Sequence, residues 1–219
     1  MSGISRRGIF LTFEGGEGCG KSTQIALLEP VLFEAGLKVE VVREPGGTRL
    51  GERVRDILLD PASTGMTPVA ELLLYQASRA QLVTERILPM LSVGSVVLCD
   101  RFTDSTLAYQ GYGRGLPKEG IETLSRMATC DLVPNLTIVL DIDPALGLVR
   151  AARSGADRLE AEQMAFHERV RQGFLELAKE EPARCVVIDA SGSVEEIHTM
   201  VLSTLHRLPV LSALMAKDA

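Results

Sequence analysis

Apolar positions along the chain follow two rhythms. Short, nearly continuous runs stand at residues 8–14 (GIFLTFE), 37–43 (LKVEVVR), 95–100 (SVVLCD), 136–142 (LTIVLDI) and 184–189 (RCVVID). They are β-branched and do not alternate, which is the pattern of strands buried on both faces of a parallel sheet. Between them, apolar residues recur at helical spacing over 21–35, 50–59 and 68–91, then after the third strand through 129. Further helical stretches cover 144–152, 160–179 and 194–208. Strands separated by helices predict an α/β fold, a five-stranded parallel sheet flanked by helices and joined by right-handed crossovers. No repeat or linker interrupts it, so residues 1–210 are expected to form one domain and 211–219 a tail. RSGAD at 153–157 is the one expected mobile loop between helices.

Composition narrows the class. The chain has 219 residues, 46% of them apolar, enough for a full core. Its formal net charge of −6 argues against a protein that coats nucleic acid, because such affinity comes from neutralising phosphates. The cysteines, Cys19, Cys99, Cys130 and Cys185, lie far apart with no C-x-x-C spacing. Neither a zinc site nor a disulfide framework is implied, and a reduced, cytoplasmic protein is expected. Residues 1–7 are polar and basic, and the apolar stretch after them is too short for a secretory signal. No apolar run is long enough to span a membrane.

The strongest chemical signal is Gly15-Gly16-Glu17-Gly18-Cys19-Gly20-Lys21-Ser22, followed by Thr23. It fits G-x-x-x-x-G-K-[ST] and sits between an expected strand and an expected helix. Glycines let successive N–H groups aim at one anion, and the helix N-terminus adds partial positive charge. Lys21 is expected to bridge the β- and γ-phosphates of a nucleoside triphosphate, and Ser22 to ligate Mg²⁺. No D-x-x-G follows the third strand and no N-K-x-D occurs, so a GTPase switch is not indicated. The third strand ends instead in Asp100-Arg101. That pair reads either as a carboxylate near Mg²⁺ with a guanidinium beside the transferring phosphoryl group, or as a strand-end ion pair.

Several longer segments then stand out: FEGGEGCGKST at 13–23, REPGGT at 43–48, GERVRDILL at 51–59, YQASRAQLV at 75–83 and CDRFTDSTLAYQGYGRG at 99–115. PNLTIVLDIDP at 134–144 and RAARSGADRLE at 150–160 complete the set. On these residues the chain resembles the bacterial thymidylate kinases. The resemblance implies the P-loop fold of nucleoside monophosphate kinases, with a short Arg-rich lid near 150–160. It also implies transfer of the γ-phosphate of ATP to dTMP with Mg²⁺, and a homodimer.

The same resemblance assigns roles. Tyr75 stacks on thymine and Arg79 reaches its O4. The two lie four apart, hence on one helix face. A guanidinium only donates, so it suits the O4 of thymine and not the N4 amino group of cytosine. Read without the resemblance, Tyr75 fits better as a core aromatic and Arg79 as a surface charge, since most helical aromatics pack in cores. Ser105, Thr106, Tyr109 and Gln110 are expected around base and sugar, with Tyr109 crowding the ribose 2′ position. Arg55 and Arg101 clamp the acceptor phosphate, and Arg43 either joins them or holds the REPGG loop. Glu17 stands near the acceptor sugar and phosphate. No variable P-loop position is basic, so Arg153 and Arg158 are expected to bring positive charge from the lid, with Arg150 stacking on adenine. Cys19 is expected to be a neutral filler. His167, His198 and His206 sit in no motif and are expected to be ordinary helix residues. The alternatives are another nucleoside monophosphate or deoxynucleoside kinase, or a P-loop regulatory protein.

Overall fold

The computed structural model describes residues 8–152, 158–209 and 211. Arg153, expected in the lid, therefore lies outside the described residues, as does the tail from 212 onward. Five parallel strands, β1 (Ile9–Glu14), β2 (Val39–Arg43), β3 (Val96–Asp100), β4 (Leu136–Asp141) and β5 (Cys185–Asp189), form one sheet in the order β2-β3-β1-β4-β5. β1 is central, and its carboxyl end, with those of β3 and β4, opens onto the crevice where ligands of open α/β sheets bind.

Consecutive β1 side chains face opposite sides of the sheet. Leu11 and Phe13 pack with Ile25, Leu28 and Leu32 of helix α1 (Lys21–Glu34) and with Val201 of helix α9 (Val194–Thr204). Phe10 faces the other way, onto Leu82, Ile87 and Phe102; its ring meets Phe102 edge-on at 4.9 Å. Thr12 shares that second face and bonds Thr137 Oγ1 at 2.8 Å, next to a buried pair in which Arg184 grips both oxygens of Asp104.

Helices α2 (Arg49–Leu59) and α3 (Pro68–Leu82) flank the β2 edge of the cleft. Each starts on a threonine cap, Thr48 accepting from Gly51 N–H and Thr67 from Ala70 N–H. The expected helix over 68–91 is not uniform. A π-helical turn at Val83–Ile87 separates α3 from α4 (Leu88–Ser92). Pro89 has no N–H for an α-helical bond and its ring crowds the preceding turn, so a wider turn ahead of it absorbs the conflict. A second wide turn, Leu107–Gly113, continues the short α5 (Thr103–Thr106). It is followed by α6 (Lys118–Thr129), α7 (Pro144–Ala151) and α8 (Met164–Glu180). α8 starts four residues later than the expected 160, because residues 158–160 form a turn.

Candidate active site

A single cleft of about 930 Å³ runs across the carboxyl ends of the central strands. The P-loop forms its floor. Gly18 has φ +62°, and a Cβ there would lie 2.0 Å from the carbonyl oxygen of Gly147 on α7. Gly147 is equally restricted: its Cβ would meet the Glu17 carbonyl at 2.3 Å. The loop is thus seated directly on α7 backbone, which only two glycines permit. Lys21 Nζ is buried and donates to the carbonyls of Gly15 (3.1 Å) and Gly16 (2.9 Å), folded back along the loop. Residues Glu17 to Thr23 line the cleft, whereas Gly15 and Gly16 turn toward a small cavity behind the loop. Cys19 is buried in the main core and faces Lys21, as a filler would.

At the head of α1, Ser22 Oγ donates to Asp100 Oδ2 at 2.6 Å. Beside it Arg101 adopts φ +70°, a left-handed conformation costly for a side-chain-bearing residue. Its surroundings over-determine it. Arg101 N–H donates to Phe13 O at 3.0 Å, and the following Phe102 N–H donates to Glu14 Oε1 at 2.7 Å. Glu14 Oε2 accepts from Ser105 Oγ at 2.5 Å, and Ser105 Oγ accepts in turn from Arg101 NH1 at 3.3 Å. Burial and the nearby Asp104 raise the Glu14 carboxyl to about 7.

Thus fixed, Arg101 NH2 contacts both oxygens of Glu17 at 2.9 Å, and Tyr109 Oη donates to Glu17 Oε1 at 2.6 Å. The Arg101 guanidinium also stacks 5.0 Å over the Tyr109 ring. Burial opposes the charged form of Glu17, but Arg101, Lys21 and the Tyr109 hydroxyl outweigh it and hold its pKa at about 2.

The far wall carries the residues expected to take the acceptor. Arg55, Tyr75, Arg79, Arg101, Ser105, Thr106, Tyr109 and Gln110 all line the same cleft as the P-loop. Arg55 donates to Pro45 O at 3.0 Å, and burial together with Arg43 lowers its pKa. Tyr75 is half-buried, packing against the Tyr109–Phe166–Phe174 cluster while reaching the cleft. Arg79 is only 1% exposed. Its Nε and NH2 engage Glu44 at 2.8 and 2.7 Å, NH2 also reaches Phe102 O, and NH1 donates to Gln76 Oε1. That leaves one NH1 hydrogen without a partner among the described residues. Arg43 pairs twice with Glu52 at 2.9 Å, and Glu52 also accepts Gly47 N–H at 2.6 Å, so Arg43 holds the REPGG loop. Arg150 lines the opposite end, near Gly192, Ser193, Val194 and Ile197, and donates to Ala190 O at 3.0 Å.

Arg158, expected to close over the triphosphate, is held elsewhere in this structure. It is not in the cleft wall; its Nε donates to Leu58 O at 2.8 Å, its N–H to Leu59 O at 3.2 Å, and its NH2 pairs with Glu71 Oε2 at 2.6 Å. The guanidinium anchors on α2 and α3 because a buried carboxylate waits there. His167 is an α8 residue as expected, but buried, with Nε2 unpartnered near the small cavity behind the P-loop.

Glu14, Glu44 and Glu71 were not anticipated. For Glu71 the signal was present, since positions 71, 75 and 79 share one helix face. Glu14, a charge closing an apolar strand, was a weaker cue.

Comparison with known proteins agrees with this geometry. A family model described as thymidylate kinase matches residues 13–201. The chain is 54% identical over 196 residues to a thymidylate kinase of Deinococcus radiodurans, covering 89% of this chain and 95% of that one. It is 51% identical over 210 residues to one of Geobacter sulfurreducens, covering 92% and 99%. Its backbone superposes on the crystal structure of thymidylate kinase from Ehrlichia chaffeensis with a TM-score of 0.76 at 36% identity, over 90% of this chain and 98% of that one. A P-loop cleft, in a sequence matched along nearly its whole length, places the chain in the thymidylate kinase family.

Proposed function

We propose that this cleft transfers the γ-phosphate of ATP to the 5′-phosphate of dTMP, giving dTDP. The observation that carries the reading is the shared cleft: phosphate-binding Gly18–Ser22 on one wall, Tyr75, Arg79 and Gln110 on the other, and Arg101 between them. ATP lies with its phosphates on the P-loop and its adenine toward Arg150 and Ser193. Tyr75 stacks on thymine, and the free NH1 hydrogen of Arg79 donates to O4. Tyr109 and Glu17 meet the deoxyribose, where the Tyr109 ring fills the space a 2′-hydroxyl needs.

Phosphoryl transfer passes through a loose transition state with charge on the peripheral oxygens, so positioning and electrostatics carry the catalysis. Lys21 swings from the Gly15 and Gly16 carbonyls to the β- and γ-phosphates. Arg55 and Arg101 hold the attacking phosphate. Arg153 supplies lid charge in this reading. The nucleophile is a phosphate oxygen with a second pKa of about 6, already anionic at neutral pH, so no general base is needed. Ser22 Oγ and Asp100 Oδ2, adjacent oxygens at the head of α1, fit a Mg²⁺ held mainly by nucleotide and water. Bound there, the ion would neutralise charge on the β- and γ-phosphates.

A homodimer and a cytoplasmic location belong to the same reading. Leu50 and Ile57 on α2 and Val69 and Leu73 on α3 are exposed, and these helices pack side by side. The four cysteines are free thiols, and no described helix is long and apolar enough to cross a membrane. Chromatographic detection of dTDP from ATP and dTMP, with and without Mg²⁺, tests the activity; no dTDP in Mg²⁺ would end the proposal. Light scattering on the eluting protein tests the dimer; a mass near 23.7 kDa at all concentrations rejects it.

A further inference from the structure

Gln110 borders the base pocket, and the direction of its amide decides what it can read. Its Nε2 donates to Glu71 Oε1 at 2.8 Å. An ionised carboxylate only accepts, so the amide nitrogen must face Glu71 and the amide oxygen must face away from it. Glu71 is fixed in that role. It is 1% exposed, and its carboxylate also takes Arg114 Nε (3.2 Å) and NH2 (3.1 Å) and the Arg158 NH2 ion pair at 2.6 Å. Arg114 is itself braced by Glu162 at 2.6 Å and lies 4.7 Å over the Phe166 ring. Burial raises the Glu71 pKa, but the bonds from Arg114, Gln110 and Arg158 lower it further, so the group stays charged.

We infer that Glu71 is a positioning residue for base selection: by taking the Gln110 amide nitrogen, it turns the Gln110 carbonyl toward the base. Beside it, Arg79 offers a lone donor. Together they present donor then acceptor, the complement of thymine O4 and N3–H and the opposite of cytosine N4 amino and N3. The arrangement also gives Arg158 and Arg114 a function away from the triphosphate, as the cations that keep Glu71 ionised and still. The inference rests on the dTMP reading of the cleft.

Glu71→Gln tests it. Residue 71 would keep one oxygen on Arg114 NH2 and Arg158 NH2, give up the 3.2 Å bond from Arg114 Nε, and turn its new amide nitrogen toward Gln110, which then flips and points its own nitrogen at the base. We compare kcat/KM for dTMP and dCMP at saturating ATP in the wild type, Glu71→Gln, Gln110→Ala and the double variant. Glu71→Gln is expected to shrink the dTMP/dCMP ratio roughly tenfold, with KM for ATP unchanged. In the Gln110→Ala background the same substitution is expected to leave the ratio where Gln110→Ala put it. A merely structural Glu71 would depress both acceptors alike; an unchanged ratio overturns the inference, and so does an equal fall with and without Gln110. If circular dichroism shows Glu71→Gln unfolded, Arg114→Gln is read by the same ratio and the same criteria. A wild type that does not favour dTMP over dCMP refutes the dTMP reading and this inference together. A selective wild type with an equally selective Glu71→Gln refutes this inference alone.

Discussion

Arg101 NH2 lies 2.9 Å from both carboxylate oxygens of Glu17, bridging the third strand's end to the middle of the P-loop. Two residues far apart in sequence thereby join the P-loop to the end of the third strand across one cleft. The contact also sets how the protein responds to acid. The Glu17 pKa is lowered from 4.5 to about 2, so its contribution to stability is complete above the unfolded value and is lost as pH falls from about 4.5 toward 2. Melting temperatures measured from about pH 6 down to about pH 2 should decline on acidification in the wild type and less steeply in Glu17→Gln. Parallel curves would remove Glu17 as a source of acid sensitivity.

Glu14 shows the opposite sign. Its carboxyl is raised from 4.5 to about 7, so the folded protein binds a proton that the unfolded chain has released. Stability linked to this group is present below about 4.5 and is lost as pH rises toward 7. Glu14→Gln removes that dependence, and its melting temperature should fall less between those limits than the wild type's. An unaltered slope contradicts the assignment.

Arg79 is buried with a carboxylate partner, Glu44, at 2.7 Å. Arg79→Ala should raise KM for dTMP at least tenfold, since a charge-assisted donor to O4 is worth about 1.5–3 kcal/mol, and leave KM for ATP within about twofold. It should also cost about 3–5 kcal/mol of stability, because Glu44 is left buried and unpaired. Steady-state kinetics and urea unfolding measure the two effects; equal loss of ATP affinity would contradict the base-reading role.

Gly147 belongs to α7, outside the P-loop motif. Gly147→Ala drives a Cβ to 2.3 Å from the Glu17 carbonyl, closer than any relaxed contact. The backbone must shift, and ATP affinity, measured by calorimetric titration, should fall about tenfold or more, since misplacement by an ångström disables such sites. Unchanged affinity would mean that the loop is not held in shape by α7.

All five strands and the P-loop were legible in the sequence, and the residues proposed for the acceptor all line the one cleft. Strands such as 95–100 have no amphipathic alternative, and glycines with Lys21 and Ser22 admit few readings. What local pattern could not supply was the partner of each charge. Arg158 stands where a lid cation is expected, and its pairing with Glu71, distant in sequence, could not be read locally. The π turn at Val83–Ile87 answers Pro89 locally, yet the apolar spacing over 68–91 reads as one unbroken helix. The left-handed Arg101 depends on Glu14 and Phe13, which no local rule connects to it.

ADP release from ATP and Mg²⁺ over a panel of dTMP, dUMP, dCMP, dGMP and dAMP decides whether this cleft selects its acceptor as Tyr75, Arg79 and Gln110 imply. The expected outcome is efficient turnover with dTMP and a kcat/KM for dCMP lower by about two orders of magnitude or more, the penalty for donors left facing donors. ADP release that is equal for every acceptor, or that proceeds with none, would contradict it.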